Sequence, residues 1–428
     1  MLRIRRSVVA ATATLTAAAV VTGCSSSGGT GAGSAGHTTI TFMLPSSWAN
    51  VPGFQDNVHA WEQKTGNTVT LTPVPDANYD SLVQARIAAK SGVDIFAGQD
   101  TLKDKAAIMQ PATGPWLARL NPDVRKAITS PDGNVWGTPA ADGLNATGVI
   151  YNKDVFAKAG ITTTPTTLAD LQGDLQKVKD AGTTPLYLSG KDGWTLLQHR
   201  SAANASFIGA DKQLVAKLDA NQAKWAEIPG FNPEYQALSD WVAKGLTNSD
   251  ALTATYESAT AAIAAGKAGA IINGTWALGA IAKANPSANV GFFLLPAADG
   301  HATLGLGKPN LLKVAKFSKA APQAQDFLNF MIAQPQAQKF LDANPGVSVF
   351  TDVTATNPST GVSDLQKLVS QGGFVLPFDQ QSVVPQPQDD IIAAYQELIG
   401  KKADVAKFGD LVQKAWQSAG AKANAAGF

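Results

Sequence analysis

The four histidines, His37, His59, His199 and His301, show no metal-ligand spacing, and no H-E-x-x-H run occurs. No G-x-S-x-G turn is present to expose a nucleophilic serine. Gly305-Leu306-Gly307-Lys308 lacks the spacing and the following Ser or Thr of a phosphate-binding loop. Neighbouring carboxylates such as Asp389-Asp390 could serve acid–base hydrolysis of a glycosidic bond. A chain with 33 acidic residues supplies many such pairs by number alone, so the pairing carries little weight. A different chemistry is better provided for. Flat tryptophans with Asn, Gln and Asp nearby suit a ligand with an apolar face and a rim of hydroxyls, because the rings cover the C–H face while amides and carboxylates meet the hydroxyls.

The single cysteine, Cys24, belongs to the N-terminus rather than to any such site. Arg3, Arg5 and Arg6 form a positive start, and the apolar run from Val8 to Val21 follows. At about 14 residues that run is too short for a membrane span but has the length of a signal-peptide core. It ends in Val21-Thr22-Gly23-Cys24, which resembles the lipobox of bacterial lipoproteins. The resemblance implies cleavage after residue 23 and a lipid anchor at Cys24. Arg5-Arg6 leaves the export route open between the general and twin-arginine pathways. Residues 24–36 are almost wholly Ser, Gly, Ala and Thr, with no apolar face to bury, and read as a flexible linker. Loss of the three arginines leaves 31 basic against 33 acidic residues, a balance that favours neither nucleic acid nor an anionic surface.

The elements that must position a site follow from hydrophobic period. Thr38 to Leu44 is a short apolar strand, and Phe54, Val58 and Trp61 lie on one face of a helix closed near Gly66. Thr68 to Val74 is the next strand. Tyr79, Leu82, Val83 and Ile87 share a face of the helix after it, and Val93 to Phe96 is a third strand. This β-α-β-α-β rhythm predicts a largely parallel sheet covered by helices, with ligand-facing loops at the carboxyl ends of its strands. Pro45 to Trp48 and Ala97 to Asp100 are those loops. The pattern restarts with strands at 148–151, 185–188, 268–272 and 290–295, separated by helices. Beyond Leu311 the chain reads as mainly helical, with apolar faces at Phe327, Phe330 and Met331 and at Leu411 and Trp416. After removal of a signal segment, roughly 400 residues exceed one ordinary core and suit two lobes.

Four stretches in order resemble the bacterial extracellular solute-binding proteins of the maltose-binding type. They are Trp61-Glu62-Gln63-Lys64-Thr65-Gly66 with the strand after it; Ala85-Arg86-Ile87-Ala88-Ala89 leading to Asp94-Ile95-Phe96; Gly148 to Gly160, with Tyr151-Asn152-Lys153-Asp154 at its centre; and Gly266 to Trp276 followed by Val290 to Pro296. The resemblance implies a two-lobed α/β fold of the periplasmic-binding-protein type II kind, with an inter-lobe cleft and hinge crossings. The first lobe is expected at 37–140 plus 297–345, and the second at 141–296 plus 346–428. Crossings are expected near Pro139 to Leu144, after Pro296, and near Pro345. Substrate binding closes such lobes about a hinge.

Several cleft positions come from the same resemblance. Trp276, after Asn273-Gly274, matches a cleft tryptophan at a helix start, and Trp194, in Asp192-Gly193-Trp194, an aromatic on the opposite side of a sugar. Trp48 lies in the loop after the first strand, although the family's usual aromatic stands earlier in that loop, where this chain has Phe42-Met43-Leu44. Asn145 aligns with a position between the first crossing and the following strand, with Asp142 nearby. Gln99 and Asp100 follow the third strand, Gly305 and Gly307 lie where the returning chain passes the cleft, and Asp379 lies in a late loop. Trp61, Trp225, Trp241 and Trp416 fall on helices and are expected in the core, and His199 in helix packing.

Together these readings point to the substrate-binding lipoprotein of an ABC importer. It would be an anchored, extracytoplasmic monomer with no cofactor, metal or catalytic residue, delivering a carbohydrate ligand to membrane permease subunits. Two rivals stand beside it: a binding protein for a charged solute, for which Arg200 is the arginine available, and a surface lipoprotein enzyme acting on polysaccharide.

Overall fold

Strand β1 (Thr39–Pro45) buries Ile40, Phe42, Met43 and Leu44 and pairs on both sides, so its apolar run has helices or sheet neighbours in every direction. The computed structural model describes residues 37–49, 51, 53–98, 104–140, 143–344 and 346–428. The expected signal segment, the linker and Cys24 lie outside the described residues, as do Gln99, Asp100 and Asp142. Strands β2 (Thr68–Val74) and β3 (Ile95–Ala97) flank β1 in parallel, as the β-α-β-α-β rhythm predicts. Between β1 and β2, helix Phe54–Thr65 turns Phe54, Val58 and Trp61 inward. It stops at Gly66, whose left-handed backbone lets its N–H donate to the carbonyl of Glu62 at 2.8 Å. Helix Asp76–Ala89 buries Tyr79 and Val83 but leaves Leu82 exposed, so its inward face is narrower than the sequence suggested. Strand β4 (Thr138–Pro139) lies at the far edge, separated from β3 by a strand that returns from much later in the chain.

The second sheet contains β5 (Ala146–Asn152), β6 (Thr184–Leu186), β7 (Ala268–Gly274), β8 (Val290–Phe293) and β9 (Gly305–Leu306). Its order is β6-β7-β5-β8, and β9 extends the β8 edge of β5. Unlike the first sheet it is mostly antiparallel: β5 runs against β7, β8 and β9, and only β6 and β7 are parallel. The reason lies in order of arrival. β7 inserts between β5 and β6, and its direction matches β6 but opposes β5. Alternation sends Ile150, Ile271 and Phe292 to one face and Val149, Ile272 and Phe293 to the other, into two different hydrophobic clusters. Both faces are covered, so the strands read as unbroken apolar runs.

Strand β10 (Leu311–Val314) then returns to the first sheet, antiparallel to β3 and β4, giving the order β2-β1-β3-β10-β4. The chain therefore crosses between sheets from Pro139 to Ala146 and again from Leu306 to Leu311. The second crossing comes later than the boundary expected after residue 296, because β9 still pairs with β5. The third also comes late. Leu144 pairs with Val347, Asn121 donates to the carbonyl of Val349, and Arg119 holds Asp352 at 2.7 Å, so residues 347–352 stay beside the first sheet. Helix Thr360–Ser370 then packs on β8, with Thr360 Oγ1 donating to the carbonyl of Val290.

Candidate functional site

Register places three strand ends together. Thr147 of β5 pairs with Gly274, the last residue of β7, and with Gly305 of β9. All three lie at the end of the second sheet that the crossings join. The corresponding end of the first sheet, which the same crossings join, holds Pro45, Ala97, Pro139 and Leu311. Side chains following these ends stand where the two sheets hand the chain to one another.

Trp276 follows β7 directly and opens helix Ala277–Ala284. The turn that carries it is pinned by Thr275. Its N–H donates to the carbonyl of Ala146 at 2.9 Å, its hydroxyl accepts from the N–H of Ala146 at 3.1 Å, and that hydroxyl donates to Asn145 Oδ1 at 3.4 Å. Trp194 sits in the short turn Gly193–Thr195. Thr195 donates from its hydroxyl to the carbonyl of Ser189 at 2.8 Å, and Asp192 Oδ2 accepts the N–H of Tyr256 at 2.7 Å. That last bond brings Tyr256 to the site: its ring lies 5.1 Å from Trp194, and burial pushes its phenol up to about 12. Sequence reading missed Tyr256 because it looks like an ordinary helix start after the Thr255 cap.

The two tryptophans meet. Their ring centroids are 6.4 Å apart with planes inclined at 44°, and each is about 40% exposed: 39% for Trp194 and 40% for Trp276. Indoles on opposite faces of one sugar ring would stand about 7–8 Å apart and parallel, since each contact needs ~3.5–4.0 Å. The expectation of opposite walls is therefore corrected. The rings are neighbours in one inclined platform, which Tyr256 continues.

A model of the family described as bacterial extracellular solute-binding protein matches residues 45–338. The chain belongs to that family. The multiple sugar-binding protein of Streptococcus mutans is 26% identical over 190 residues, 44% of this chain and 45% of the relative. The chain thus matches less than half of that relative's length. Among solved structures, a putative binding protein from Bacillus subtilis in an open conformation has a TM-score of 0.75 at 19% identity, covering 91% of this chain and 99% of the other. A chitin oligosaccharide binding protein has a TM-score of 0.75 at 22% identity, covering 90% and 99%. A further binding protein, RafE in complex with raffinose, has a TM-score of 0.75 at 18% identity, covering 89% and 99%. These likenesses establish the two-lobed α/β fold.

Within this solute-binding protein, the second crossing passes beside the platform. Gly307 N–H donates to the carbonyl of Asn145 at 2.8 Å, and the N–H of Lys308 donates to Gln380 Oε1 at 2.7 Å. Asn145, Gly307 and Gln380 are thus brought together, and Asn145 links them to Thr275. Gln380 was not foreseen, although it adjoins Asp379. Asp379 is exposed, although its carboxyl is partly desolvated by the surrounding protein. Desolvation raises its pKa above the usual carboxylate range, with a backbone hydrogen bond and the charge of Arg200 pulling the other way. A cavity of about 80 Å³ lies at this crossing, lined among others by Asn121, Leu144, Gly307, Lys308 and Leu376.

The remaining candidates divide. Trp48, in the short helix Ser46–Ala49 after β1, is partly buried against the core of the first sheet. Gly305 is buried, and a Cβ placed on it would stand 3.0 Å from that of Ala205, so its missing side chain admits helix Leu196–Ala210. The expected close approach to a ligand is replaced by close approach to a helix. Arg200 is buried, stacked 4.7 Å from the Trp225 ring and 5.6 Å from Phe378, with Nη1 donating to Gln386 at 3.2 Å. It is enclosed by its own lobe. His199 packs as expected, with Nδ1 3.1 Å from the Tyr395 hydroxyl and Nε2 3.3 Å from Glu234. Trp61, Trp225, Trp241 and Trp416 are all in the core. Among the described residues no group of three or more His, Cys, Asp or Glu could hold a metal ion.

Proposed function

We propose that this protein captures a carbohydrate between its lobes and delivers it, chemically unchanged, to the permease of an ABC importer. One observation carries the reading: two indoles, held 6.4 Å apart at the end of a largely buried sheet, each keep about 40% of their surface open to solvent. Leaving that much aromatic surface in water is unfavourable unless a partner covers it, and a sugar's C–H face is a fitting partner. Asn145, Gln380 and Asp379 supply acceptors and donors for the hydroxyls around such a ring. The sugar-binding relatives support the same class of ligand.

The proposed site comprises Trp194, Trp276, Tyr256, Asn145, Gln380 and Asp379 on the second lobe, with Trp48 contributed by the first; Gln99 and Asp100 are proposed from the sequence alone. We also propose that a signal segment at 1–23, a lipid on Cys24 and a linker at 24–36, all outside the described residues, tether the monomeric body outside the cytoplasmic membrane. A charged solute finds less support, because Arg200 is committed to Trp225 and Phe378.

A thermal-shift screen of the purified protein against neutral mono- and oligosaccharides, amino acids and polyamines tests the reading, since a ligand that binds only the folded state raises Tm. At least one neutral sugar should raise it and be recovered intact. A shift with charged solutes alone, or cleavage of the sugar, would replace this reading with one of its rivals.

A further inference from the structure

Gly274 and Gly193 are not needed for backbone conformation. Neither adopts the left-handed region that favours glycine, and Gly274 ends a regular strand. What excludes a side chain is space. A Cβ on Gly274 would overlap Cη2, Cζ3 and Cζ2 of Trp276, and one on Gly193 would overlap Cγ2 of Ile392. The indole of Trp276 therefore folds back over the bare Cα of Gly274, while the turn bearing Trp194 rests directly on helix Gln388–Ile399. By contrast, Gly279, in the helix that Trp276 opens, has nothing within 4 Å of its Cβ position.

We infer that Gly274 and Gly193 are positioning residues that set the inclination of the Trp276–Trp194 platform and, through it, which sugars the protein accepts. Gly274 is the more direct of the two. Any side chain there must push the indole off the strand end, and the contact at 6.4 Å and 44° is lost with it. Gly193 acts through the backbone of its turn, since a methyl group would lift the turn from Ile392 and carry Trp194 along. The effect on sugar binding rests on the carbohydrate reading; the geometric part stands without it.

The test is a double-mutant cycle on the full chain, read by Tm and by the near-ultraviolet circular dichroism of coupled indoles. Gly274→Ala should lower Tm and remove the Trp194–Trp276 dichroic signal, defined as the part that Trp194→Phe also removes. In a Trp276→Ala background, Gly274→Ala should cost little, because the ring it would strike is gone. Gly279→Ala should leave signal and binding within error and should not lower Tm, because Ala favours a helix over Gly. Titrated with raffinose, stachyose and mannobiose, Gly274→Ala should weaken whichever sugar the wild type binds at least tenfold, and Gly279→Ala less than twofold. An equal Tm cost in both backgrounds, or a dichroic signal unchanged in Gly274→Ala, would overturn the inference. Should the wild type bind none of the three sugars, the carbohydrate reading is what suffers, and the cycle still decides the positioning role.

Discussion

Trp194 and Trp276 come from segments 82 positions apart in the chain, yet their rings lie 6.4 Å from one another and both remain open to water. No other pair of tryptophans among the described residues combines contact with exposure: Trp225 and Trp416 also touch, at 5.7 Å, but both are buried. Burial thus divides one residue type into two sets.

Truncating the exposed pair should cost binding rather than folding. Trp194→Ala and Trp276→Ala are each expected to weaken sugar binding by about thirtyfold or more, roughly 2 kcal/mol, as for a central aromatic anchor. Apo Tm should stay within a few degrees. Trp241→Ala, at a wholly buried position, should instead lose about 3–5 kcal/mol of stability. Titration calorimetry and denaturant melts on the three variants separate the two outcomes.

The proposed role of Asp379 predicts pH-dependent binding. A carboxylate accepting sugar hydroxyls loses that ability once protonated, and desolvation has raised its pKa, so affinity should begin to fall at a higher pH than for an ordinary aspartate. The stability sign is opposite. The folded state holds this proton more tightly than the unfolded chain, so the contribution is present below the unfolded value near 3.8 and is lost as pH rises through the raised one. Asp379→Asn should therefore flatten the pH dependence of affinity in titrations from pH 4 to 7, and should not lower Tm at neutral pH.

Asn152 should prove structural despite its place in the most specific stretch of resemblance. Its Oδ1 accepts the N–H groups of Asp154 and Val155 at 3.1 and 3.0 Å, capping helix Lys153–Lys158, and its Nδ2 donates to the carbonyl of Ile263 at 2.9 Å. Asn152→Ala is expected to cost about 2–3 kcal/mol, from the lost cap and the stranded buried carbonyl. Sugar affinity of the folded fraction should be unchanged. Urea melts alongside calorimetry check both halves.

Arg200→Met should lower stability by about 3 kcal/mol or more, because it leaves a gap between Trp225 and Phe378 and strips Gln386 of its donor. It should not change which ligands shift Tm. A switch in preference away from an anionic solute would mean that the guanidinium faces the ligand after all.

These particulars show what the chain reveals before folding. Strand Thr68–Val74 and helix Phe54–Thr65 stand where period and punctuation put them, since a buried face and a glycine stop are local signals. Trp61, Trp225, Trp241 and Trp416 were separable as core residues because they fall on helices, whereas Trp194 and Trp276 were legible only through the family resemblance. β9 was invisible: two residues have no period, and the bridge to Thr147 is a tertiary event. Gly305 illustrates a different limit. Its type announces close approach, but only the fold says that Ala205 is what approaches. Tyr256 joins the site through a backbone bond to Asp192, 64 residues away, which no local pattern encodes.

A crystal structure of the protein with the neutral sugar that most raises its Tm decides where that sugar sits. An intact ligand is expected between the lobes, its C–H faces on Trp194 and Trp276 and its hydroxyls bonded near Asn145, Gln380 and Asp379. A sugar bound elsewhere with both indoles still in water would contradict the proposed site.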